Sequence, residues 1–151
     1  MVSIMSASSG AKVPWHLWAV GIVGVLWNAF GCIDYTMTAL QGEVWMRNFG
    51  MTDAQIASFE AMPAWMTAVW AIGVWGAMLG TILLLVRNKL AMPVFVVSLV
   101  AYVLSLVYAY ALSDQAEVMP EGTWIMQAVI LVGCLFFVWY SWVMGKRGVL
   151  R

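Results

Sequence analysis

Four apolar runs, each long enough to cross a bilayer as a helix, constrain this chain more than any other feature. A hydrocarbon core about 30 Å thick needs roughly 20 mostly apolar residues in a helix. Residues 15–38, 63–86, 91–112 and 124–144 each meet that length. Barrel strands would alternate apolar and polar residues with period two, a pattern absent here. Helices also satisfy their backbone N–H and C=O groups within each segment, as a lipid environment demands. The chain therefore reads as all-α: a single membrane domain over 1–151 built as a four-helix up-down bundle.

Composition agrees with this reading. Of the 151 residues 64% are hydrophobic and 9% charged, more apolar surface than a water-soluble domain of this size can hide. The lipid bilayer is the first partner implied. A formal net charge of zero lacks the basic balance that binding a phosphate backbone needs, so nucleic acid is excluded.

Charge also orients the spans. Lys12, Arg87, Lys89, Lys146, Arg147 and Arg151 flank the helix ends on one side, and Arg47 is the only basic residue on the other. Asp34, Glu43, Asp53, Glu60, Asp114, Glu117 and Glu121 all fall at or beyond the ends on that opposite side. The positive-inside rule then predicts a multi-pass protein of the inner (plasma) membrane with both termini cytoplasmic. The first span exceeds the apolar core of a cleavable signal peptide, which predicts that it is retained. Residues 1–13 read as a short disordered tail.

Between the first two spans, Thr52 and Gln55 have the spacing of a capping box. A short amphipathic helix over about 53–62 is expected to follow, resting on the membrane surface as a lid over the outer helix ends.

The chemistry inventory is short. His16 is the only histidine, so one chain cannot build a two-histidine haem or an imidazole metal site. Lys89 and Lys146 lie at helix ends, which removes a mid-membrane Schiff-base lysine. Cys32 and Cys134 form no C-x-x-C pair, and their different depths disfavour a disulfide. No phosphate loop or nucleophile elbow is present. The expectation is no metal, no cofactor, no catalytic residue and no enzymatic activity.

Polar residues inside the spans are costly and draw attention. Asn28 lies near the middle of span 1 and Asp34 about one turn from its outer end, on adjacent faces. One reading makes Asp34 a proton, cation or polar-ligand site with Asn28 deeper in the same pocket. The other makes Asn28 an interhelical hydrogen bond and Asp34 a carboxylate wetted by outer water. Trp27 and Trp75 sit at similar mid-membrane depth, with Trp70 further out, and their indoles would wall a ligand pocket beside Asn28 or pack in the core. Most other tryptophans fall in the two interfacial belts. Tyr35 and Asp114 join the candidate ligand-binding set (Trp27, Asn28, Asp34, Tyr35, Trp75, Asp114) if spans 1 and 3 adjoin. The acidic third loop, with Asp114, Glu117 and Glu121, reads as a cation-binding mouth or as a solvated loop. Gly73, Gly76 and Gly80 form a small-residue face for close packing against another span or a second copy.

Several strings carry a resemblance: Pro14-Trp15-His16-Leu17-Trp18, Leu26-Trp27-Asn28, Asp34-Tyr35-Thr36-Met37-Thr38, Pro63-Ala64-Trp65, Leu112-Ser113-Asp114 and Glu117-Val118-Met119, with the tail Arg147-Gly148-Val149-Leu150-Arg151. Over nearly its whole length the chain resembles small proteobacterial four-span inner-membrane proteins of uncharacterised function, some bearing an automatic sugar-transporter label. The resemblance implies the fold and the membrane, and no residue role. Three functions remain open at this level. One is a small-ligand binding or transport protein, which a homodimer would suit. The second is an assembly or regulatory subunit of a larger membrane complex. The third is a tryptophan-rich receptor for an apolar ligand.

Overall fold

The computed structural model describes residues 12–151, so most of the expected N-terminal tail lies outside the described residues. Four long apolar helices appear where the runs predict them: α1 (Trp15–Gln41), α4 (Ala64–Leu85), α5 (Ala91–Val107) and α7 (Thr123–Lys146). Three short helices lie in the connections: α2 (Glu43–Asn48), α3 (Asp53–Glu60) and α6 (Gln115–Val118). A π-helical turn, Tyr108–Leu112, extends α5 to the end of its span. The four long helices pack as a bundle, and their outward faces carry large exposed apolar side chains such as Ile22, Ile72, Leu79, Val100 and Val132. A surface of that kind belongs against acyl chains.

Local chemistry places the helix ends. Pro14 and Pro63 occupy the N-cap positions of α1 and α4, where a missing N–H costs nothing. The expected capping box is present: Gln55 N–H donates to Thr52 Oγ1 at 3.3 Å, and Thr52 N–H donates to Gln55 Oε1 at 2.9 Å. Sequence periodicity misses α2, and it ends span 1 at 38 where the helix continues to Gln41. Gly42, at φ +53°, then reverses the chain, a conformation open to glycine and strained for other residues.

Packing is uneven along the bundle axis. On the side carrying the basic residues, Leu17, Leu84, Ala91, Phe95, Tyr140, Met144, Val149 and Leu150 form one buried cluster that draws on α1, α4, α5, α7 and the C-terminal segment. Gly148, at φ +73°, turns that segment back beneath the bundle. Arg151 N–H then donates to Arg87 O at 2.8 Å, and Lys89 N–H to Arg151 O at 2.9 Å. Arg87 itself ends α4 in a Schellman-type turn with φ +61°, and Asn88 N–H reaches Leu83 O at 2.8 Å. Its guanidinium Nε donates to Val149 O at 3.0 Å, which ties this unusual backbone to the returning segment. Across the same end, His16 Nδ1 and Tyr140 Oη share a hydrogen bond of 2.5 Å that joins α1 to α7.

The Gly73, Gly76 and Gly80 face packs inside the chain. A Cβ at Gly76 would lie 3.5 Å from Ser98 Cβ, and one at Gly80 would lie 2.9 Å from the Phe95 ring. Ser98 Oγ donates to Gly73 O at 2.7 Å. This face packs on α5 of the same chain, with Ala101, Ser98 and Phe95 opposite the three glycines.

Going round the bundle, α1 packs on α4, α4 on α5 and α5 on α7, with no comparable pairing of α7 with α1 among the described residues. The ring of helices is therefore open along one seam. Phe137 of α7 reaches across the seam at one level, where a Cβ on Gly24 would come within 2.8 Å of its ring.

Two glycine substitutions separate tight from open packing. Gly80→Ala should destabilise the bundle by about 1–3 kcal/mol, because the Phe95 ring it meets is itself stacked on another ring. Gly133→Ala, where nothing lies within 4 Å of the added methyl, should be neutral or slightly stabilising from helix propensity. Thermal unfolding in a mild detergent, followed by helical circular dichroism, measures both.

Candidate functional site

Between the closed basic side and the acidic side the four long helices enclose a cavity of about 830 Å³. Its floor is the pair of stacked rings Phe95 and Phe137, with centroids 5.1 Å apart. α1 contributes Val23, Leu26, Trp27, Asn28, Phe30, Gly31 and Asp34, and α4 contributes Val69, Trp70, Gly73, Val74 and Ala77. Ser98, Ala101, Tyr102 and Ser105 come from α5, and Met126, Ile130, Gly133 and Cys134 from α7. A second depression of about 410 Å³ follows the α1–α7 seam on the lipid side and shares Val23, Trp27, Gly133 and Phe137 with the cavity wall. The two are therefore neighbours along the seam, with these four residues common to both walls. The cavity's volume falls in the range of small-molecule sites, roughly 300–1,000 Å³.

The polar groups on the wall are mostly committed. Asn28, at the midpoint of α1, donates through Nδ2 to Thr81 Oγ1 at 2.8 Å and to Ala77 O at 3.2 Å. Thr81 passes its own hydroxyl hydrogen to Ala77 O at 2.8 Å. Asn28 therefore makes the interhelical bond to α4 that one sequence reading expected, and it lines the cavity as well. Tyr102 Oη donates to Gln127 O at 3.0 Å, bridging α5 to α7, and Ser105 Oγ donates to Tyr102 O at 2.6 Å. Both cysteines are free thiols. Cys32 is buried and contacts Val74 O at 3.6 Å, whereas Cys134 stands in the cavity wall.

Asp34 is the only charged residue on the wall among the described residues. Because α1 runs to Gln41, Asp34 lies about 10 Å from the helix end along its axis, deeper than the single turn expected from sequence. The reversal at Gly42 carries α2 back along α1, so that Trp45 Nε1 donates to Asp34 Oδ1 at 2.9 Å. Asp34 Oδ2 accepts no hydrogen bond from the described residues. The sequence reading missed Trp45 as a partner; its signal was Gly42 followed by Glu43 and Arg47 at helical spacing.

The other candidates are dispersed. Tyr35 packs edge-on against Trp70 at 4.8 Å behind the rim and does not line the cavity. Trp27 lines it while remaining 51% exposed toward the seam. Trp75, 48% exposed, is on the outer face of α4 beside Ile72 and Leu79, because the inner faces of α4 are given over to α1 and α5. Trp70 takes the place on the wall expected for Trp75. Asp114 is exposed and ends the third span at the start of α6. Asp114 does not join Asp34 and Tyr35, since spans 1 and 3 are not paired; the neighbouring Ser113 Oγ donates to Tyr108 O at 2.9 Å.

Over the acidic side, α3 acts as a cap. Gln55 Nε2 donates to Val118 O of α6 at 2.9 Å, and Phe59 meets Trp70 edge-on at 5.3 Å. Arg47 binds Glu43 and Asp53 at 2.6 Å each; the hydrogen bonds it donates, to Asp53 first and Glu43 second, raise its pKa above the ordinary arginine value. Two of the acidic-side carboxylates thus share one guanidinium, and the group keeps one net negative charge. No three His, Cys, Asp or Glu side chains converge among the described residues.

No protein-family model, curated protein or solved structure matches the chain. The cavity must be interpreted from its own geometry.

Asn28→Leu removes both bonds to α4 and leaves Thr81 with its own acceptor. The expected loss is about 0.5–2 kcal/mol, read as a modest fall in the detergent melting midpoint with helix content unchanged.

Proposed function

We propose that this protein binds a small apolar or amphipathic molecule that enters from the bilayer through the α1–α7 seam. The observation that carries this reading is that the 830 Å³ cavity and the depression along that seam adjoin, sharing Val23, Trp27, Gly133 and Phe137. A wall built mainly from Val, Leu, Ile, Phe and Trp side chains suits a hydrocarbon body, and Asn28 and Asp34 lie where a polar group would be oriented. In this reading the protein is a non-enzymatic binding or transport-type component. The asymmetric Lys and Arg distribution supports a bacterial inner membrane with both chain ends in the cytoplasm, as does the resemblance to small four-span inner-membrane proteins. In the accessory-subunit reading, docking would use surfaces other than the glycine face, which α5 occupies.

The test is tryptophan quenching in phosphatidylcholine nanodiscs by a brominated dodecanol, whose bromine quenches indoles on contact. Wild type should show a saturable phase, from Trp27 and Trp70, above the linear quenching of lipid-facing indoles. Gly133→Leu projects a side chain into the open space of the cavity and should weaken the saturable phase at least about fivefold. A purely linear response in wild type would overturn the reading.

A further inference from the structure

The cavity has a marked imbalance between hydrogen-bond donors and acceptors. Asn28 spends both amide hydrogens on α4, and Ser98, Tyr102 and Ser105 each spend their hydroxyl hydrogen on a backbone carbonyl. The donors left on the wall are the indoles of Trp27 and Trp70 and the weak thiol donor of Cys134. Acceptors are abundant by comparison: Asn28 Oδ1, the lone pairs of three hydroxyls, and above all Asp34 Oδ2. Such a wall receives donors well and rejects an anionic head, which would meet a carboxylate and few free N–H or O–H groups.

Resting on the binding reading above, we propose that the occupant is an amphiphile with an ammonium head, seated with its nitrogen at Asp34 and its chain running toward Phe137. Three observations converge on it. The only charge on the wall is negative. Trp70, whose ring lies 4.8 Å from that of Tyr35, the residue after Asp34, is at the same end of the cavity, and aromatic rings attract ammonium groups through their quadrupoles. The wall residues of α1 extend from Asp34 to Val23, about 16 Å along the helix axis, which matches the roughly 15 Å acyl layer of one leaflet. Trp45 holds Asp34 from one side and leaves the second oxygen to form a charge-assisted hydrogen bond with the ammonium.

The nanodisc assay tests this by comparing brominated dodecylamine with brominated dodecanol of the same chain length. In wild type the amine should saturate at a concentration about tenfold or more below that of the alcohol. Asp34→Asn keeps an oxygen for Trp45 and removes the charge, so the amine-to-alcohol affinity ratio should fall to about one. Adding phosphatidylethanolamine to the discs identifies the source of the head: displacement of the amine assigns the site to that lipid class, and no displacement assigns it to free long-chain amines. Saturable alcohol binding with no preference for the amine, or a preference that Asp34→Asn leaves intact, would overturn the ammonium assignment while leaving the binding function standing. Absence of saturable binding by either probe would overturn both.

Discussion

The architecture depends on how few contacts cross the α1–α7 seam, the uppermost of them at Phe137. The Phe137 ring rests on α1 at Gly24, which has no Cβ to hold it off, and stacks on Phe95 behind. Below that level His16 and Tyr140 bind, and Leu17, Met144 and Leu150 close the bundle. Above it nothing comparable draws α7 to α1. In lipid the hydrophobic effect does not force helices together, so association follows close packing and hydrogen bonding. Where those are present the bundle is shut, and where they are absent it opens.

The same rule explains why α4 and α5 form the stiff wall of the molecule. Three glycines on one helix meet Phe95, Ser98 and Ala101 on the other, and a hydroxyl bridges the pair. Asn28 fastens α1 to the adjoining face of α4. With two faces of α4 consumed, its remaining face, with Ile72, Trp75 and Leu79, turns to lipid. Polar groups that look functional in the sequence are therefore partly structural. Asn28 joins helices with its donors and offers the cavity only its acceptor.

Much of the fold was legible in the sequence, since span length and backbone satisfaction in lipid leave few alternatives. The capping box at Thr52 and Gln55 was readable for a similar reason, being a local pattern with a local cause. The candidate site was legible in part. Asn28, Asp34 and Trp27 reach the cavity because they are on the face of α1 turned toward α4 and the seam. Trp75 and Trp70 could not be ranked, because depth along a span is visible in sequence and azimuth is set by which neighbour claims each face. Trp45 was invisible as a partner of Asp34 because the contact depends on a single φ, that of Gly42. The open seam left no sequence signal of its own: it is a missing pairing, and periodicity reports only pairings that exist.

A cavity of 830 Å³ inside a water-soluble core would cost many kilocalories in lost contacts, on the order of 20 cal/mol per Å³. In a bilayer the reckoning changes, because a cavity open to the acyl region fills with chains and regains their dispersion contacts. The bundle can therefore keep its acidic half open without losing the stability concentrated at its basic half. On the proposed binding function, what the cavity decides is which chain it holds. Hydrocarbon cannot discriminate strongly between similar hydrocarbons, so selection falls to the few polar atoms at the end of the cavity. Trp45 fixes one oxygen of Asp34 and leaves the other facing that choice.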